Sequence, residues 1–139
     1  MEQLVGGRQL QYEGVHCALT LEQCSPRVVL LKISGTDIGE FGEAPMATLS
    51  EWLENSLPIH FFIDARAVRG ASIDVSGDWA KWLGRNRAKL HSVTMLTGSR
   101  FINLTAEFVR RFSELQGIMR ICTEPGVFDG ALNDAVHRA

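Results

Sequence analysis

Hydroxyl, carboxylate and backbone amide groups crowd into one short stretch of this 139-residue chain. Asp64 closes the apolar run Ile59-His-Phe-Phe-Ile63, and Ser72-Ile73-Asp74-Val75-Ser76-Gly77 follows it. A serine at the exposed start of a helix can accept a phosphoryl group, and the free N–H groups and the dipole there favour the added negative charge. The plain structural role of Ser76 is an N-cap, with Asp78 supporting it in the first turn, and that of Asp64 is to cap the loop after its strand.

Other chemistries find little support. His16, His60, His91 and His137 form no i, i+4 pair and adjoin no cluster of carboxylates or thiols, so no metal site is expected. Cys17, Cys24 and Cys122 are odd in number and lack C-x-x-C spacing, which argues against structural disulfides and for a reducing compartment. A nucleophile needs a base and an orienting acid, but no Gly-x-Ser-x-Gly elbow occurs, and neighbours His16 and Cys17 would point to opposite sides of a strand. Thr97-Gly98-Ser99-Arg100 lacks a Gly-Lys-Ser/Thr ending and reads as a turn. No catalytic residue and no cofactor are expected.

The elements that must position these residues follow from periodicity. Residues 15–21 and 27–34 read as strands joined by a turn at Cys24-Ser25-Pro26, and Ser34-Gly-Thr-Asp37 breaks the second. Residues 1–13 are expected to be weakly ordered or to add a short edge strand. A helix is predicted from Pro45 to Pro58, with Leu49, Trp52, Leu53 and Leu57 inward. The run 59–63 reads as a central strand, and residues 65–77 as a loop. A second helix is predicted over 76–89, with Trp79, Trp82 and Leu83 inward and its arginines outward. A strand follows over 93–96, then a helix over 101–116 whose stripe of Phe101, Leu104, Phe108, Phe112 and Leu115 reads as core. A strand over 118–122 and a final helix with Phe128, Leu132 and Val136 inward complete the chain.

The resulting order, β-β-α-β-α-β-α-β-α, predicts one α/β domain over residues 1–139. It has a four- to five-stranded, mostly parallel mixed sheet and about four helices. Functional groups in such sheets gather outside the carboxyl ends of the strands, where Asp64, the 65–77 loop and Thr97-Gly98-Ser99 are expected.

With these elements in place the chain resembles the STAS family, the domains shared by sulphate transporters and anti-sigma-factor antagonists, over about residues 15–136. Ile33-Ser-Gly35-Thr-Asp37-Ile38 resembles its strand-ending stretch before the first helix. Phe61-Phe-Ile-Asp64 with Ile73-Asp74-Val75-Ser76-Gly77 resembles its strand and Asp-Ser-Ser-Gly loop. In the family's antagonists the serine after the loop aspartate is phosphorylated by a partner kinase. The matching residue here is Val75, which has no hydroxyl, while Asp74, Ser76 and Gly77 match their counterparts. The resemblance therefore implies a phospho-switch either moved to Ser76 or Ser72 or absent.

Charge agrees with a protein partner. The chain carries a net charge of −2, but residues 78–111 hold seven basic groups against Asp78 and Glu107, leaving seven basic and fourteen acidic groups elsewhere. A locally basic face steers an acidic partner or is simply two solvated helix surfaces. An acidic chain without aromatic–basic interleaving argues against nucleic acid. Apolar runs such as Val28-Val-Leu-Leu31 are too short for a membrane span, and the first residues do not read as a secretory signal.

The expectation is a cytoplasmic, non-catalytic interaction domain of bacterial signalling that contacts an anti-sigma-factor-like kinase or another regulator. Self-association as a homodimer is compatible with it. The expected contact surface comprises Asp64, Asp74, Val75, Ser76, Gly77 and Arg85. The alternative is a domain of related fold that holds a small apolar ligand or lipid; a small enzyme ranks below both.

Overall fold

The computed structural model describes residues 8–138. Its six strands form one sheet, in spatial order the same as chain order: β1 (Gln9–Glu13), β2 (Cys17–Ser25), β3 (Val28–Asp37), β4 (Ile59–Ala71), β5 (Leu90–Thr97) and β6 (Met119–Cys122). The β1–β2 and β2–β3 pairings are antiparallel, and the three that follow are parallel. Four helices are interleaved: α1 (Ala44–Leu53), α2 (Ile73–Arg85), α3 (Arg100–Phe112) and α4 (Pro125–Arg138). The α/β alternation and mixed sheet are as expected, with a higher strand count because Gln9–Glu13 forms the edge strand. The expectation for residues 1–7 lies outside the described residues.

Two apolar layers flank the sheet. On one face Leu49 and Leu53 of α1, Trp82 and Leu83 of α2, and Val109 of α3 pack with Leu21, Leu31, Phe61 and Val93. Trp82 lies edge-on to Phe61 and satisfies its indole N–H by donating to Ser50 Oγ at 2.9 Å. On the other face Phe128 of α4 meets Val28, Leu30, Phe62, Leu96 and Cys122. Covered on both sides, the first halves of β3 and β4 carry the apolar-rich runs of buried parallel strands. No helix among the described residues is long and apolar enough to cross a membrane.

Several boundaries differ from expectation, each for a local reason. The first turn is Pro26-Arg27, because a bulge at Cys24 extends β2 to Ser25. β3 runs through Ser34–Asp37, where Gly35 adopts φ +83° and Thr36 N–H donates to His16 O at 2.8 Å. α1 ends at Leu53, so Leu57 is exposed. β4 continues to Ala71 by pairing with β3 alone beyond Ala65, with one extra residue at each of two bulges, near Arg66 and Arg69. The segment expected as a loop is thus largely strand, and α2 begins three residues earlier.

The largest difference is on α3. Phe101, Leu104, Phe108 and Phe112 are 62%, 64%, 46% and 55% exposed, while Ile102, Ala106 and Val109 face the sheet. Both sets follow helical spacing, and at 100° per residue they form adjacent stripes of one broad apolar arc. Periodicity alone does not choose between them; the smaller set fits the close approach of α3 to the sheet. Leu115, beyond the helix, is buried as expected.

Candidate functional site

The carboxyl end of β4 and the start of α2 build the site. Ser72 is extended (φ −70°, ψ 157°) and its Oγ accepts Val75 N–H at 3.1 Å, which makes it the N-cap. Ser72 N–H donates to Asp37 O at 2.9 Å, tying the cap to the end of β3. Asp74 sits exposed in the first turn, where the helix dipole favours its charge.

Ser76 is therefore not the N-cap. It lies one turn inside α2, 7% exposed, and its hydroxyl and amide both donate to Ser72 O at 3.0 Å. Val75, in the place of the family's acceptor, is buried beneath Gly39 and beside Trp79. Gly77 is half-buried, and a Cβ there would meet open space. Neither position 75 nor position 76 offers a free hydroxyl; Ser72 is half-buried and already accepting.

The other expected members lie elsewhere. Asp64 is within β4, on the α4 side of the sheet, and not at a strand end. Arg66 Nε donates to its Oδ1 and Oδ2 at 3.0 and 3.1 Å, and Arg66 Nη2 to Asp129 of α4 at 2.6 Å. These two acceptors raise the Arg66 pKa above its ordinary value. Asp64 thus anchors α4 and does not face the α2 start. Arg85 is exposed in the last turn of α2, about 18 Å along the axis from Ile73 at 1.5 Å per residue. It adjoins a different cleft, with Lys81, Gly84, Arg87 and Phe112.

The structure brings Ser72, Asp74, Val75 and Asp78 together with groups that sequence reasoning missed. Asp37, Ile38, Gly39, Glu43 and Trp79 complete a cleft at the α2 start. Ile38 in this lining is half-exposed, and Ile73, between the lining residues Ser72 and Asp74 in sequence, is 86% exposed. Asp37 is buried, with Oδ1 accepting Gly39 N–H at 3.1 Å; burial raises its carboxyl above the ordinary value, against that hydrogen bond and with the Glu40 charge. Glu40 clamps the β1–β2 turn by accepting Val15 N–H and His16 N–H at 2.8 and 2.9 Å, and chiefly the His16 amide holds its carboxyl below the ordinary range. No sequence signal marks Ile38, just after β3, or Ile73, at the α2 start, because an isoleucine beside a strand or helix end reads as core.

Two other arrangements bear on chemistry. His60 Nδ1 lies 2.9 Å from Ser92 Oγ, brought together by β4–β5 pairing; burial, then His91 and Arg27, hold the His60 pKa below its ordinary value. Its ring neighbour is His91 at 4.7 Å, not an orienting acid, so the pair lacks the third member of a nucleophilic triad. Between the sheet, α2 and α3 lies an apolar cavity of about 80 Å³, lined by Ile63, Val75, Trp79, Leu83, Met95 and Ile102 among others. That is roughly half the volume that admits benzene in an apolar core.

No protein-family model matches the sequence, and no curated protein matches it. Solved structures do match. An uncharacterized protein of the DUF3478 family with a SpoIIAA-like fold, from Shewanella loihica PV-4, is 17% identical, with TM-score 0.62 over 87% of this chain and 98% of that one. The anti-sigma factor antagonist SpoIIAA in its unphosphorylated form is 20% identical, with TM-score 0.55 over 83% of this chain and 96% of that one. At these identities the likeness is one of architecture. The chain has a SpoIIAA-like fold, the STAS-like arrangement that its own residues pointed to.

Proposed function

We propose that this chain is a non-catalytic regulatory domain of bacterial signalling that acts in the cytoplasm by contact with a protein partner, as an anti-sigma-factor antagonist does. The observation that carries the reading is the α2 start, where 86%-exposed Ile73 and exposed Asp74 project beside a cleft in a SpoIIAA-like fold. Exposed apolar side chains bordered by polar groups can serve as the desolvated centre of an interface.

On this reading the contact works without a phospho-switch at Ser76. Val75 lacks a hydroxyl, and the Ser76 hydroxyl is buried and engaged. The partner is a kinase-like anti-sigma factor or another regulator that reads the shape and charge of the α2 start. The cavity of about 80 Å³ gives less support to a lipid-carrying role.

The test is photo-crosslinking from position 73 in native cells, followed by titration of the purified crosslinked partner. Ile73→Asp should weaken that complex by about tenfold or more, the effect of losing a central anchor. An unchanged affinity, or no crosslinked partner at all, overturns the proposal.

A further inference from the structure

The exposed stripe on α3 is a second surface, on a different part of the molecule from the α2 start. Phe101, Leu104, Phe108 and Phe112 follow i, i+3, i+7, i+11 spacing, the seam along which another helix packs. At roughly 200 Å² per large side chain their exposures amount to roughly 450 Å² of apolar surface. That is close to the apolar share of a standard interface of about 800 Å² per partner.

Charge selects the occupant. Exposed Arg100 and Arg111 adjoin Leu104 along one side of the stripe by helical position. On the other side, between the end of α2 and the end of α3, Lys81, Arg85 and Arg87 outnumber the one carboxylate, Glu114, in the cleft that Phe112 enters. Ala80 and Gly84 form part of its lining, and a Cβ on Gly84 would lie 3.6 Å from Ser113 O, so the two helices are close there. Two copies face to face would oppose basic rim to basic rim. A flat anionic bilayer would also meet the rest of the chain, which carries fourteen acidic against seven basic groups outside residues 78–111.

We propose that the α2–α3 face, with Phe101, Leu104, Phe108 and Phe112 as its apolar seam and Lys81, Arg85, Arg87, Arg100 and Arg111 as its rim, docks an acidic amphipathic helix of a partner protein. The apolar face of that helix lies along the aromatic seam, and its carboxylates meet the two basic borders. This is helix-in-groove recognition, in which apolar anchors supply affinity and charge supplies orientation and on-rate.

The experiment uses the whole chain and a fluorescent peptide of roughly 18 residues, about five helical turns, with leucines on one face and glutamates on the other. Its controls are the same peptide with lysines for glutamates, and vesicles of phosphatidylserine and phosphatidylcholine. The glutamate peptide should bind at least about tenfold tighter than the lysine peptide, and less tightly as salt rises. Phe108→Asp, and separately Arg85→Glu with Arg111→Glu, should each weaken it by about tenfold or more. All three positions are at the surface, and circular dichroism checks that each variant is folded. Absent binding, equal binding of the two peptides, or insensitivity to these substitutions overturns the proposal. So does a dimer in sedimentation velocity that Phe108→Asp dissociates, or vesicle binding that the same substitution abolishes. None of these outcomes depends on Ile73, so the two surfaces stand or fall separately.

Discussion

The side-chain hydroxyl of Ser76 and its backbone amide both donate to the carbonyl oxygen of Ser72, each across 3.0 Å. The residue that looks like a switch is thereby folded back onto the residue that caps the helix.

Ser72→Ala should destabilise the protein by about 1 kcal/mol, the usual cost of losing an N-cap, with Ser76→Ala costing less. Ser76→Glu places a charge where the serine is buried and should cost about 3 kcal/mol or more. Chemical denaturation of the three variants checks the order. Stable, well-folded Ser76→Glu protein would show that the α2 start opens more readily than its packing indicates.

The buried Asp37 carboxyl imposes a pH dependence of defined sign. Its folded pKa is raised above the ordinary 3.8, mainly by burial, so over the window above that value the folded chain binds more protons than the unfolded one. Stability from this residue is greatest below the unfolded value and falls as pH rises through the folded pKa. Asp37→Asn keeps an acceptor for Gly39 N–H and removes the penalty. The thermal midpoint of the Asn variant relative to wild type should rise between about pH 4 and pH 7. Glu40, whose pKa is lowered, acts in the opposite sense, and because its charge helps to raise the Asp37 pKa, Asp37→Asn relieves that repulsion as well.

Gly35 cannot carry a side chain. Its φ of +83° lies in the left-handed region, and an added Cβ would stand 2.2 Å from His16 O, a backbone atom with little freedom to move. Gly35→Ala should cost about 2 kcal/mol or more in urea unfolding. Gly130→Ala, with nothing within 4 Å of its Cβ inside α4, should instead be neutral or stabilising by about 1 kcal/mol.

Cys17 and Cys24 should be unreactive in the native state. Burial, followed by the charges of Asp37 and Glu40, pushes the Cys17 thiol up to about 11, and burial with Glu22 pushes Cys24 up to about 11. Thiolate is the reactive form, so a disulfide reagent at about pH 8 should label these residues at least tenfold more slowly in the folded chain than in urea. Rapid native labelling mapped to either residue would contradict this burial.

The sequence carried the architecture because its central strands are unambiguous. Runs such as Ile59–Ile63 are apolar on both faces, and the intervening segments have helical period. The site was less legible. Residues 65–71 form a partly exposed ribbon whose bulges disrupt the alternation expected of a strand, so the residue pattern points to Ser76 as helix start and cap where the structure has Ser72. Asp64 and Asp74 are close in sequence, but the sheet stands between Asp64 and α2. On α3 the aromatic residues outweighed Ile102, Ala106 and Val109 in apparent hydrophobicity, while the space over the sheet admits the smaller set. His60 and Ser92 are 32 positions apart, so only strand pairing makes them neighbours.

The extension of β4 past Ala65 also has a consequence for solubility. From that point the strand keeps β3 on one side and loses β5 on the other, exposing the hydrogen-bonding border of a ribbon in the interior of the sheet order. Unprotected borders of this kind recruit further strands and seed fibrous assembly. Here bulges near Arg66 and Arg69 disturb the spacing that an incoming strand would need, and both residues are exposed. The Gly98 backbone closes part of the gap, passing so near Arg66 O that an added Cβ would lie 2.2 Å away. The irregularities that hid this strand in the sequence are thus what keep neighbouring molecules from adding to it.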